Sequence, residues 1–167
     1  MVRFLGVSIL FLFVFFVFLI SSYAVTASEY YEDTYLSKEI QGYCVEIGEM
    51  YGVCPELLMA MIERESSGNA LAENGSCKGL MQVSVRWHRD RMERLGVDDI
   101  YDEYGNILVA TDYLMELAAK YEDVGMTLMV YNGDSKAFSY WNGKCGLSKY
   151  ATWILERSAE LEMLHGK

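Results

Sequence analysis

A mostly α-helical domain behind an apolar N-terminal leader is the architecture this 167-residue chain should adopt. Apolar residues recur three and four positions apart in successive segments after residue 35, the period of a helix that buries one side. Gly52, Gly96, Asp123 and Ser148, residue types suited to helix ends, fall at the borders of those segments. The one proline, Pro55, stands where a helix should start and where its missing N–H would be unpaired anyway. Once the leader is set aside, the remaining length suits one core and needs no second domain.

Residues 1–27 read as a signal peptide. Arg3 gives the positive start, Phe4 to Ile20 is an apolar run broken by Gly6 and Ser8, and Val25-Thr26-Ala27 offers a small-residue cleavage site. The run sits at the short edge of a membrane span, so an uncleaved N-terminal membrane anchor is the alternative, and the membrane is a partner only in that form. With Arg3 on the cytoplasmic side, either version leaves the remainder outside the cytoplasm. The chain is acidic, with a formal charge of −10. Such a surface argues against nucleic acid, which is held by clustered Lys and Arg.

Residues 28–35 form a short polar lead-in, and 36–167 the domain. From Leu36 to Tyr51 the apolar positions step by three and four, which predicts an amphipathic helix stopped by Gly52. Pro55 opens a second helix, packed against the first across a short connection. Along it Leu58, Met61, Ile62 and Glu65 share one face, while Glu56 and Glu63 fall round the helix and read as solvated charges. Ser67 to Lys78, rich in Gly, Asn and Ser, is a loop. Val85 to Leu95 is a basic, aromatic helix; Trp87 and His88 on it would line a sugar cleft or serve as a core Trp and a surface His. Asn106 to Tyr121 is a helix, and Asp123 caps another running to Tyr131. Ala137 to Gly146 is an aromatic loop in which Tyr140 and Trp141 shape the cleft mouth or simply pack. Ser148 caps a last helix to about Leu164.

The four cysteines, Cys44, Cys54, Cys77 and Cys145, all follow the leader and predict two disulfides. Cys44 with Cys54 and Cys77 with Cys145 is the preferred pairing, since the second bond would tie the Ser67–Lys78 loop to the Ala137–Gly146 loop. Zinc is the alternative, but no C-x-x-C is present and His88 and His165 are not at ligand spacing, so no metal and no cofactor is expected.

Glu65 is the candidate for chemistry because an acid ends an apolar stripe at a helix C-terminus. Low-dielectric surroundings and the negative end of the helix dipole both disfavour its charge, so its pKa should be raised, as general-acid work requires. The segment around it resembles the catalytic signature of the soluble lytic transglycosylase and goose-type lysozyme-like family. An apolar helix ending in Glu65-Ser66 is followed by a polar loop and by Gly79-Leu80-Met81-Gln82, and Val130-Tyr131-Asn132 stands where that family has Ala-Tyr-Asn. Asn106-Ile107, opening a long helix between the second and third motifs, is a looser match. The chain departs from the family at Gly68, where an aromatic residue is common, at Val130, and at Gly133-Asp134-Ser135, where the family continues Ala-Gly.

The resemblance implies a lysozyme-like fold and a peptidoglycan substrate cut at the MurNAc-GlcNAc β-1,4 bond. It implies Glu65 as the single acid, closing a 1,6-anhydroMurNAc end without water. Tyr131 would hold the Glu65 carboxyl, and Ser66, Met81, Gln82 and Asn132 would contact or orient substrate. Each has a plainer reading: Tyr131 and Met81 as core residues, Ser66 as a helix-end cap, Asn132 as a turn former. Glu73 or Asp90 are the carboxylates to consider as a second group. The rivals are lysozyme-type hydrolysis and a wall-binding or assembly protein that retains the cleft. Such exported domains open the cell wall for secretion, conjugation or phage apparatus. No G-x-S-x-G, phosphate loop or H-E-x-x-H occurs, and a cysteine hydrolase would need an oriented His from only two.

Overall fold

The computed structural model describes residues 34–167, so the leader and most of the polar lead-in lie outside the described residues. Seven helices are present among the described residues: α1 (Lys38–Tyr51), α2 (Pro55–Ser66), α3 (Val85–Leu95), α4 (Glu103–Tyr121), α5 (Val124–Tyr131), α6 (Ala137–Trp141) and α7 (Lys149–Leu164). No helix among them is long and apolar enough to cross a membrane.

Local chemistry explains the helix ends. The Ser37 hydroxyl accepts from the Ile40 N–H, Asp102 from Gly105, Asp123 from Met126 and Ser148 from Ala151, each satisfying an otherwise orphan donor of a first turn. The helix predicted from Asn106 starts three residues earlier, because Asp102 rather than Asn106 provides the cap. The aromatic stretch expected as a loop contains the short helix α6.

The polar loop after α2 is not featureless. Glu73–Asn74 (β1), Cys77–Lys78 (β2) and Val83–Ser84 (β3) make a three-stranded antiparallel sheet, with Asn74 opposite Cys77 and Lys78 opposite Val83. Gly75, at positive φ, makes the two-residue turn between β1 and β2. Two-residue strands are too short to show an alternating pattern, which is why periodicity missed them.

Helix α2 runs through the core, packed against α7 and α1, while α4 packs on α1 and α5. Leu58, Met59, Ala60, Met61 and Ile62 are all fully buried, so this helix has no solvent face along most of its length. Glu56 and Glu63, expected to be solvated, are therefore buried as well. Glu63 is held by Arg157 of α7 through Nε at 2.7 Å and by the Thr34 hydroxyl at 2.7 Å. Glu56 meets His165 Nδ1 at 2.8 Å, Lys167 Nζ at 2.9 Å and the Cys54 thiol at 2.9 Å. A buried carboxylate survives because it is paired and hydrogen-bonded.

The expected disulfides are not formed: all four cysteines are free thiols. Cys44 is sealed in the core on α1, Cys54 turns its thiol to Glu56, and Cys145 lies exposed after α6.

Candidate active site

Glu65 occupies the last turn of α2, where Ser67 reverses the chain in the left-handed conformation at φ 54. Its carboxyl is largely buried against α7, and the Tyr150 hydroxyl, in the first turn of α7, donates to Glu65 Oε1. Burial pushes the Glu65 pKa up; the Tyr150 hydrogen bond and the nearby Arg64 oppose that without cancelling it. The direction is the one anticipated from the apolar stripe, and desolvation is its leading cause.

Tyr131 does not hold the carboxyl. Its hydroxyl donates to the main-chain carbonyl of Met81 at 2.8 Å. It stands within electrostatic reach of Glu65 all the same: burial first, and then the Glu65 charge, push its pKa well above the ordinary tyrosine value. The acid therefore has two phenols, Tyr150 bonded to it and Tyr131 beside it, the latter tied to the turn that carries the second motif.

That turn is built by Asn106, which sequence reasoning noted only as part of a loose match. Fully buried at the start of α4, Asn106 accepts the Met81 N–H at 2.8 Å through Oδ1 and donates through Nδ2 to the carbonyls of Ile100 at 2.8 Å and Lys78 at 3.0 Å. Gly79 passes so close that a Cβ there would collide with the Asn106 amide, and its φ of +77 also calls for glycine. The side chain of Met81 is fully buried and packs in the core; only its main chain serves the site.

Gln82 follows at φ 52, unusual for a residue with a side chain. Its Nε2 donates to the carbonyls of Gly79 at 3.0 Å and Ala72 at 3.2 Å, so both amide hydrogens brace the loop and Oε1 remains as the acceptor. Ser66 turns back on its own helix, its hydroxyl donating to the Ile62 carbonyl at 3.3 Å. Asn132 caps the end of α5 and is exposed.

A groove of about 540 Å³ brings Gln82, Tyr131 and Asn132 together with Trp87, His88 and Tyr113. Glu65 is not on its wall; Tyr131 links the groove to the acid. Of the proposed second carboxylates, Glu73 sits on the exposed hairpin, ion-paired with Lys78 at 2.7 Å and bonded by the Tyr101 hydroxyl, and Asp90 is exposed on α3. No cluster of three or more His, Cys, Asp or Glu side chains fit to hold a metal occurs among the described residues.

The arrangement is a protonatable carboxyl held in a phenolic pocket beside an aromatic groove, which suits delivery of a proton to a neutral, elongated substrate. Comparison with known proteins points the same way. The family model described as Transglycosylase SLT domain matches residues 42–154. A protein named transglycosylase from Enterobacteria phage PRD1 is 32% identical over 95 residues, covering 56% of this chain and 34% of the phage protein. The chain thus spans about a third of that relative's length.

Proposed function

Because this chain belongs to the Transglycosylase SLT domain family, we propose that it is a peptidoglycan lytic transglycosylase that cleaves the MurNAc-GlcNAc β-1,4 bond and leaves a 1,6-anhydroMurNAc end. The observation that carries the reading is Glu65, an acid of raised pKa at the end of a buried helix, bonded by Tyr150 and coupled through Tyr131 to the groove.

Glu65, protonated, gives its proton to the glycosidic oxygen as the C1–O bond breaks and positive charge develops at C1. The sugar's own C6 hydroxyl attacks C1, and the Glu65 carboxylate takes the hydroxyl proton, so the acid is restored and no water is consumed. The opposed surroundings of Glu65 suit both halves: burial favours the neutral acid, and Tyr150 steadies the carboxylate between them. One carboxyl suffices, in keeping with Glu73 being engaged elsewhere. Tyr131 fixes the Met81 carbonyl, while Gln82 Oε1 and Asn132 meet substrate in the groove; Ser66 finishes the helix.

A domain acting on the wall would work outside the cytoplasmic membrane, secreted or on its outer face, as the leader would direct. Opening peptidoglycan locally for a phage, secretion or conjugation apparatus is the service such a domain would render, and the phage relative supports the first.

Mass analysis of soluble fragments released from purified peptidoglycan, beside a Glu65→Gln control, tests the reading. Products lighter by one water than reducing muropeptides, seen only with the parent, are expected. Reducing ends would mean lysozyme-type hydrolysis, and no products from several wall types would leave a wall-binding protein.

A further inference from the structure

Within the groove, one aromatic residue is presented to solvent while others on the wall pack against one another. Trp87 is 74% exposed although it lines the groove. The Arg86 guanidinium lies 5.2 Å from its ring centroid, and the rest of the indole is open. In the same groove the rings of His88 and Tyr113 meet at 4.5 Å between centroids, tilted by 53°, and Tyr113 continues to Tyr131 at 5.7 Å. That packed series ends at the tyrosine that feels the Glu65 charge, and the open indole shares its groove.

The backbone is distorted to achieve this. His88 departs from helical geometry inside α3, at φ −119 and ψ 15, and Gln82 on the same wall is left-handed. Residues held off the common backbone regions persist where surrounding structure imposes them, and they gather at ligand sites. The kink at His88 sets its ring on Tyr113, and the preceding Trp87 stays outside the packed series. Tyr113 is further fixed by Arg91, 5.3 Å from its ring and itself ion-paired to Asp112 and Glu116.

We propose that Trp87, open on the wall of this groove, is a saccharide subsite that stacks an N-acetylhexosamine ring of the glycan strand at a distance from Glu65. The inference rests on the transglycosylase reading for its occupant, since the groove shared with Gln82, Tyr131 and Asn132 is where that strand would lie. A sugar ring shows apolar C–H faces and equatorial polar groups, so an open aromatic face takes the former while Gln82 Oε1 and Asn132 meet the latter. The subsite makes the enzyme favour strands long enough to reach Trp87.

The test uses the full chain in the inactive Glu65→Gln background, with the neutral tetramer of N-acetylglucosamine as the probe, by titration calorimetry. Adding Trp87→Ala should weaken binding about tenfold, equivalent to roughly 1.4 kcal/mol, and Trp87→Phe should recover most of the loss. In the active protein, Trp87→Ala should raise KM on glycan strands with kcat little changed, the mark of lost uniform binding. Trp87 is exposed, so thermal melts of both variants should match the parent. Equal affinity of the Ala variant and its background overturns the subsite and leaves the transglycosylase reading standing. So does a protein that cleaves the wall yet binds no tetramer. A protein that neither binds nor cleaves any glycan overturns both.

Discussion

Asn106→Asp is nearly isosteric, and it asks whether the second motif is held in place by one buried amide. The exchange keeps the acceptor facing the Met81 N–H and turns the donor into an oxygen facing the carbonyls of Ile100 and Lys78, at 2.8 and 3.0 Å in the parent. Each carbonyl left without a partner costs about 1–3 kcal/mol, so losing both should cost roughly 2–6 kcal/mol at pH 7. For a domain of this size that is a fall in Tm of about 8–24 °C. The new carboxyl is buried and faces acceptors, so its pKa is raised in the folded state. The variant is therefore closest to the parent below the unfolded value near 3.9, where a protonated oxygen donates to one carbonyl, and the deficit grows as pH rises through the folded pKa. Calorimetry of parent and variant across pH 4 to 8 reads both size and sign. A variant within about 1 kcal/mol of the parent at pH 7, or a deficit that shrinks as pH rises, refutes the reasoning.

Glu65→Gln should lower glycan cleavage by about 10²- to 10⁴-fold, the usual worth of a general acid, with the melt unchanged; fragment release per enzyme reads it. Tyr150→Phe removes the bond that opposes the burial shift of Glu65. The Glu65 pKa rises further, so the falling limb of kcat/KM moves to higher pH; a limb that stays or moves down contradicts the assigned contact. Arg157→Ala strands the buried Glu63 and should cost about 3–5 kcal/mol, whereas pairing Arg157→Met with Glu63→Gln should recover most of it; denaturant melts distinguish the two. Burial pushes Glu56 up, but Cys54, Lys167 and His165 outweigh it and hold the carboxyl at about 2. Its contribution is present above the ordinary value near 4.5 and lost as pH falls toward 2, so the stability of Glu56→Gln should fall less steeply across that window.

Elements closed by local chemistry were legible. Gly52, Gly96, Asp123 and Ser148 end or start helices where their types predicted, because a cap involves neighbours only a few residues away. What depends on distant partners was not. Arg157 and His165 reach Glu63 and Glu56 from about a hundred residues further along, and no period within α2 announces them. The resemblance named Tyr131 as the holder of Glu65, but the hydroxyl that reaches the acid belongs to Tyr150, which opens the last helix. Asn106 carried a usable signal, a polar residue in an apolar helix start, and the Gly75-Ser76 turn pair carried another for the small sheet. The cysteine count pointed to disulfides because parity says nothing of where thiols lie; Cys44 lies sealed in the core and Cys145 exposed.

Helix α2 shows how one element sorts identical side chains into different work. It carries Glu56, Glu63 and Glu65, and all three are drawn toward the interior because the helix is surrounded. Desolvation pushes the pKa of Glu56 and of Glu65 up. Glu56 receives a lysine, a histidine and a thiol and stays ionised to low pH. Glu63 receives the Arg157 guanidinium in a two-pronged pair. Glu65 is bonded by a phenol, which supplies one hydrogen bond, and Arg64 acts on it only through its charge, so the burial shift survives. An acid that is to give and retrieve a proton near neutral pH needs that incomplete compensation; full pairing would have made Glu65 a third structural anion. The partner chemistry, more than the position on the helix, separates the proposed general acid from the two carboxylates that hold the fold.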